Sequence, residues 1–233
     1  MQYFKPYTYF VSKANGGMNL LWGSLAFFST SFIPVLGQLV MIGYQAEVAD
    51  DLKSDPDIER YPDFDINRFV QYLTRSIWPF VAQLIVGVAV LFVLAIAAGV
   101  GVAVGVATDE VVIGVLAGLV VYLPLVVCAA MLSWPLVLHA QLSQSFQLGE
   151  SIRFTRSFVR MVGGQLFMSL LVHMLLSIPL TIVGLLLCFI GLYPAMMIQF
   201  MAQEHYMIQL YRLYLDEGGE PIRGPSKERE FDA

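Results

Sequence analysis

Residues 76–108 read SIWPFVAQLIVGVAVLFVLAIAAGVGVAVGVAT, and residues 111–137, after the single turn Thr108-Asp109-Glu110, read VVIGVLAGLVVYLPLVVCAAMLSWPLV. Neither stretch contains an Asp, Glu, Lys or Arg. Each exceeds the roughly 20 apolar residues that cross a ~30 Å hydrocarbon core. A charge at the centre of a spanning helix costs roughly 2.5–3.5 kcal/mol, so gaps this long mark segments solvated by lipid. Lipid offers the backbone no hydrogen bonds, so such segments must close their amides internally as helices.

The same pattern extends outward in both directions. Ala14 to Ala46 and Met161 to Gln203 are also free of charge, the second holding only His173 among titratable imidazoles. Across all 233 residues 58% are apolar and 13% charged, with a mean hydropathy of +0.70. Soluble domains carry about 25% charged residues. The expected fold is an all-α, polytopic transmembrane helix bundle. Its hydrophobic helices cover about 18–44, 77–107, 111–137, 165–187 and 195–215. An aromatic segment (1–17) precedes them, and a tail rich in Gly, Pro and charge (216–233) follows and is expected to be disordered. The first apolar block is too long for a signal h-region and is expected to stay as an anchor.

The first block contains Phe32-Ile33-Pro34-Val35-Leu36-Gly37, where proline removes a backbone donor. It is either one kinked span or a hairpin of two short helices. Lys and Arg bear on that choice and on orientation. Lys53, Arg60, Arg68, Arg75, Arg153, Arg156, Arg160, Arg212, Arg223, Lys227 and Arg229 all fall in the loops before the second and fourth blocks or after the last. The turns near Asp109 and Gly191 have none. The positive-inside rule puts the basic loops and the carboxyl terminus in the cytoplasm of a plasma (inner) membrane. A hairpin around Pro34 brings Lys5 and Lys13 to the same side and gathers Trp22, Trp78 and Trp134 into one aromatic belt. Its halves are short for a full crossing.

The segments 64–76 and 150–162 align at an offset of about 85 residues: Asp65 with Glu150, Arg68 with Arg153, Phe69 with Phe154, Leu73 with Phe158 and Arg75 with Arg160. Both read as interfacial amphipathic helices, with apolar residues toward lipid and Arg68, Arg75, Arg153, Arg156 and Arg160 toward headgroups.

Polar groups inside spans are the natural candidates for function, because lipid makes them costly. They are Gln83, His173, Gln199, Gln203 and Glu204. Ser169 and Ser177 lie one turn before and after His173. On the last helix Gln199 and Gln203 share the face expected to look into the bundle; His205, Gln209, Arg212 and Asp216 share the opposite face, expected toward headgroups. Gly101, Gly105, Gly114 and Gly118 form small-xxx-small faces for close helix contact. Gly99, Gly101 and Gly105 imitate a dinucleotide fingerprint but follow no strand. Cys128 and Cys188 read as small core residues. The acidic run Asp50, Asp51, Asp55, Asp57, Glu59, Asp63 and Asp65 lacks the glycine and spacing of a calcium loop. There is no His-Glu-x-x-His, Gly-x-Ser-x-Gly or phosphate-binding loop, so no catalytic, cofactor or metal residues are assigned. The net charge of −5 and the lack of a basic tract argue against a nucleic-acid partner.

Leu20 to Glu47 with its Pro-x-x-Gly break and Gly43-Tyr44 exit, Tyr61-Pro62-Asp63-Phe64-Asp65 before Trp78-Pro79, and the closing stretch Tyr206 to Tyr214 resemble an uncharacterised prokaryotic multi-pass membrane family, domain of unknown function 4013. The resemblance covers about Met18 to Leu215. It implies a topology and no activity, so no functional residues carry over. The aromatic amino terminus departs from the family pattern.

These readings favour a non-enzymatic membrane protein that docks other membrane or cytoplasmic proteins or shapes lipid packing. The alternative is a small transporter or channel component using the five intramembrane polar residues. An enzyme acting on lipid rests on location alone. Oligomeric state is not encoded in any feature above.

Overall fold

A computed structural model describes residues 1–54, 61–187 and 189–224, with the side chain of Ser54 outside that description. The described residues are 83% helical and contain no strand. The seven α-helices, among the described residues, are α1 (Lys5–Ser12), α2 (Gly16–Ser29), α3 (Leu36–Ser54), α4 (Phe69–Thr108), α5 (Val111–Ser143), α6 (Leu148–Leu186) and α7 (Leu192–Asp216), with a 3-10 turn at Ile66–Arg68. Among the described residues three segments are long and apolar enough to cross a membrane: Ile66–Thr108, Val111–Ser143 and Leu148–Leu186.

α2 and α4 end where the sequence provides a stop. At the end of α2 the hydroxyls of Ser29 and Thr30 donate to the carbonyls of Ala26 and Phe27 (2.7 and 2.6 Å). Pro34 and the left-handed Val35 (φ 76°) then turn the chain into α3, so residues 18–44 form two helices. α4 stops at Asp109, in the left-handed conformation (φ 57°) that Asp tolerates better than most residues. The Glu110 amide closes back on the Gly105 carbonyl at 3.1 Å, and α5 begins at once.

Two regions result. The α4–α5 hairpin is a long apolar arm, and only 6% of the most hydrophobic window of each helix is buried. Its helices touch through glycines: a Cβ on Gly114 would lie 2.8 Å from the Gly105 Cα. Thus Gly101, Gly105, Gly114 and Gly118 meet one another across a single hairpin. Cys128, expected in the core, is exposed on α5; Cys188 lies outside the described residues.

The second region is a head formed by α1, much of α3, the starts of α4 and α6, and the ends of α5 and α7. Its core is aromatic, with Tyr44, Tyr72, Tyr206, Tyr211, Tyr214, Phe10 and Phe158 fully enclosed. α3 crosses α4 so closely that a Cβ at Gly43 would overlap the Tyr72 carbonyl.

That crossing corrects one expectation. Arg75, expected among headgroups, is only 9% exposed and faces Asp50 at 3.7 Å, because α3 covers its side of α4. Arg68 is half-buried and pairs with Glu47. In the matching segment Arg153, Arg156 and Arg160 are exposed. Phe154 and Phe158 point not to lipid but onto Tyr211 and Tyr214 of α7. The two aligned segments therefore occupy different environments, and Arg75 and Arg160 are not equivalent. The second joins its span through a kink at Val162 (φ −118°, ψ 18°), whereas α4 continues without a break.

The tail also departs from expectation. Residues 217–224 fold back on the head: the Glu220 and Ile222 amides donate to the Tyr214 and Tyr211 hydroxyls (3.2 and 2.8 Å), and Lys53 Nζ donates to the Ile222 carbonyl at 3.1 Å. Buried Ile222 supplies the apolar contact that composition alone obscured. Of the acidic run, Asp55, Asp57 and Glu59 lie outside the described residues.

Candidate functional site

The five predicted intramembrane polar residues separate. Gln83 and Gln203 are half-buried on α4 and α7. Gln199 Nε2 donates to Thr181 Oγ1 at 3.1 Å, tying α7 to α6. His173 is capped by α1: the Tyr7 hydroxyl lies 2.8 Å from its Nδ1 and 3.1 Å from its carbonyl oxygen. Trp134 and Tyr206 meet the imidazole edge-on. Ser169 and Ser177 do not address the ring, because their hydroxyls donate to the carbonyls of Gln165 and His173 on their own helix (2.8 and 2.7 Å). His173 thus joins a filled aromatic cluster.

Glu204 is the residue of the five that lies completely buried. Two partners that sequence reading did not single out complete its surroundings, Gln45 on α3 and Gln141 on α5. Gln141 Nε2 donates to Gln45 Oε1 and to Glu204 Oε2, at 3.1 Å each. Gln45 Nε2 donates to the Phe200 carbonyl at 3.0 Å. Gln141 Oε1 and Glu204 Oε1 have no hydrogen-bond partner among the described residues. Buried polar atoms are nearly always paired, so two orphan oxygens in one cluster mark a place that needs a physical explanation.

The opposite face of α7 is buried at His205 and Gln209 rather than directed to headgroups, while Arg212 is half-buried and Asp216 exposed. The His205 ring packs on Tyr9, with centroids 4.3 Å apart, and Gln209 Nε2 lies 2.8 Å from His205 Nδ1. The Gln2 amide donates to Gln209 Oε1 at 2.8 Å, and the Tyr206 hydroxyl donates to the Tyr3 carbonyl. The aromatic amino terminus is the cover of this face, which explains both its composition and the wrong exposure inferred for His205. His139 was likewise missed; it is buried on α5, with Nδ1 3.2 Å from the Ser151 hydroxyl.

Outside the membrane-crossing segments Lys13 and Asp63 form an ion pair. Asp63 accepts from Lys13 Nζ and Asn15 Nδ2 (2.7 Å each) and from Asn19 Nδ2 (2.9 Å). Donation from Lys13 first, then Asn19 and Asn15, outweighs partial burial and holds its carboxyl down to about 2. Lys13 also sits 4.5 Å from the Tyr61 ring centroid. Among the described residues no cluster of three or more His, Cys, Asp or Glu is placed to hold a metal ion.

Fold and site together define an all-α membrane protein whose polar residues are gathered in a head and whose apolar length extends into an arm. The chain belongs to the family described as "Protein of unknown function (DUF4013)", whose profile matches residues 26–190. That stretch runs from α2 through α6 and leaves α1 and α7 outside it. No curated protein and no solved structure matches the chain.

Proposed function

We propose that the protein is a non-enzymatic, multi-pass subunit of the plasma membrane that docks other membrane or cytoplasmic proteins. The observation that carries this reading is the α4–α5 arm. Phe92, Val102, Val106, Val111, Val112 and Val120 are each at least two-thirds exposed along it, on a hairpin stiffened by glycine contacts. Such a surface suits the side of another membrane helix, where packing and not hydrophobicity selects the partner. Internal pairing in the head, from Arg68–Glu47 to Lys53–Ile222, supports a rigid mount for the arm. The Lys and Arg distribution supports placing the head in the cytoplasm.

The test is photo-crosslinking in native membranes, with the photoreactive residue at Val106 or Val120 on the arm and at Arg156 on the head. Discrete protein adducts at the arm positions are expected. Lipid adducts alone at every position would remove the docking reading. A transporter or channel reading is supported by Glu204, whose Oε1 lacks a hydrogen-bond partner among the described residues. Solute or proton flux in proteoliposomes that disappears in Glu204→Gln would favour it over docking.

A further inference from the structure

Gln45 of α3, Gln141 of α5 and Glu204 of α7 are 1%, 1% and 0% exposed, and their hydrogen bonds run in one direction. The Phe200 carbonyl accepts from Gln45 Nε2 at 3.0 Å, so Gln45 offers its oxygen to Gln141. Gln141 Nε2 then spends its two hydrogens on Gln45 Oε1 and Glu204 Oε2, at 3.1 Å each. Gln141 Oε1 and Glu204 Oε1 are left without partners. Both are acceptors while the carboxyl is ionised, so neither can satisfy the other. They belong to two planar groups already joined by the Nε2–Oε2 bond. A proton on Glu204 Oε1 turns that oxygen into the donor that Gln141 Oε1 lacks, and every bond named above is kept.

The same proton removes a charge that nothing else balances. An enclosed carboxylate without a counter-charge is costly, and such groups are carried neutral instead. No Lys or Arg among the described residues forms an ion pair with Glu204. The titratable groups on the surrounding helices are engaged elsewhere. On α1 the Tyr9 hydroxyl donates to the Met201 carbonyl at 3.2 Å, and on α7 itself His205 Nδ1 lies against Gln209. On α3 Glu47 pairs with Arg68, while His139 of α5 and His173 of α6 face Ser151 and Tyr7. α2 carries no titratable side chain. Gln141 also lies near the end of α5, about 45 Å from the tip of the arm at 1.5 Å per residue, which is more than a ~30 Å hydrocarbon core. The cluster therefore belongs to the head.

We propose that Glu204 is held as a carboxylic acid whose proton, donated to Gln141 Oε1, latches α5 to α7, and that loss of this proton at alkaline pH releases the latch. Ionisation sets two unpaired acceptors, one of them charged, side by side in the core, and the helices that carry them separate. This proposal is independent of the docking reading, since it concerns what holds the head together and not what meets the arm.

The test uses the full chain in detergent, melted from about pH 5 to about pH 9, a range that brackets the titration of enclosed glutamates. A proton held by the folded chain and released by the unfolded one stabilises fully below the unfolded value of about 4, and its contribution declines as pH rises until the folded group ionises. The wild-type midpoint is therefore expected to fall with rising pH relative to Glu204→Gln, whose amide supplies the same donor and acceptor and cannot titrate. Infrared spectra at neutral pH should show a carboxylic-acid carbonyl stretch in the wild type that is absent in Glu204→Gln and moves to higher frequency in Gln141→Leu. The wild-type band should vanish at alkaline pH together with faster amide exchange, corrected for intrinsic chemistry, at residues 138–143; these wild-type readouts decide the matter even where a variant fails to fold. Parallel pH curves for wild type and Glu204→Gln with no acid band, the result for an ionised carboxylate bridged by a buried water, would overturn the proposal. So would an acid band whose loss leaves exchange at residues 138–143 unchanged.

Discussion

The arm and the head are built from the same chain under opposite rules. Between Val88 and Leu123 the α4–α5 hairpin presents side chains to lipid on nearly every outward face and holds itself together by backbone contact at Gly101 and Gly114. Lipid tails are as apolar as leucine, so nothing drives these helices together except close packing. The head does the reverse. Its contacts are tyrosine hydroxyls, amides and ion pairs enclosed by aromatic rings, and most link residues far apart in sequence. The arm is therefore sensitive to shape alone, the head to shape and to polar satisfaction together.

Substituting glycine at the tightest crossing of each region measures that difference. Gly43→Ala places a methyl group against the Tyr72 carbonyl at the point where α3 covers Arg75 and the polar core. Overpacking ordinarily costs about 1–3 kcal/mol; here separation of α3 from α4 also opens buried polar groups, so the cost is expected at or above that upper value. Loss of the monodisperse folded species in size-exclusion chromatography in detergent would show it, and a wild-type elution profile and melting point would contradict it. Gly114→Ala pushes α5 away from Gly101 and Gly105 of α4 and uncovers only apolar surface, for which lipid can substitute. We expect a loss of about 1–2 kcal/mol by the same effect, with the head still folded and cysteine crosslinking across the arm reduced. If both variants unfolded the chain equally, the division into two regions would fail.

A third change isolates a single bond in the head. Tyr206→Phe removes the hydroxyl that donates to the Tyr3 carbonyl and leaves the ring packing intact. Such a bond contributes about 0.5–1.5 kcal/mol. Amide hydrogen exchange across residues 3–12 is expected to speed up several-fold, while exchange in the arm stays at its wild-type rate. Unchanged exchange at the amino terminus would show that ring packing, not the hydroxyl, pins α1.

The two regions also differ in how far they could be read from residues in order. The arm is a local object: its apolar run, its turn at Asp109-Glu110 and its glycine spacing all lie within residues 76–137, and periodicity reports such features directly. The break at Pro34 is local for the same reason. The head depends on meetings that no periodicity encodes, such as Tyr7 with His173 or Gln2 with Gln209. Helical phase puts Gln199 and Gln203 on one face of α7 and His205 and Gln209 on the other. It could not reveal that α1 would cover the second face. Gln45 and Gln141 sat unremarked near the ends of charge-free blocks because an amide there is as compatible with an interface as with a core. Arg75 misled for a related reason: its helix looked amphipathic toward lipid, and the partner that covers it, α3, lies across a crossing visible only in three dimensions.

The smallest effect belongs to the Lys13–Asp63 pair, and acid distinguishes the regions there. The carboxyl of Asp63 is held at about 2 by Lys13, Asn19 and Asn15, against an ordinary value near 4 in an unfolded chain. Because the folded value is the lower one, the stabilisation is complete above about pH 4 and is lost as pH falls toward about 2. Asp63 is 43% exposed at its side chain, and exposed ion pairs contribute at most about 1 kcal/mol. The melting midpoint of the wild-type chain should fall over that interval by more than that of Asp63→Asn, whose amide oxygen still accepts hydrogen bonds but cannot titrate. The arm has no carboxylate between Arg75 and Asp109, so exchange there, corrected for intrinsic chemistry, should stay level while the amides around Asn15 and Asn19 open. Parallel acid curves for wild type and Asp63→Asn would mean that the amino terminus is held by its aromatic contacts alone, with Lys13 contributing through the face of Tyr61 and not through Asp63.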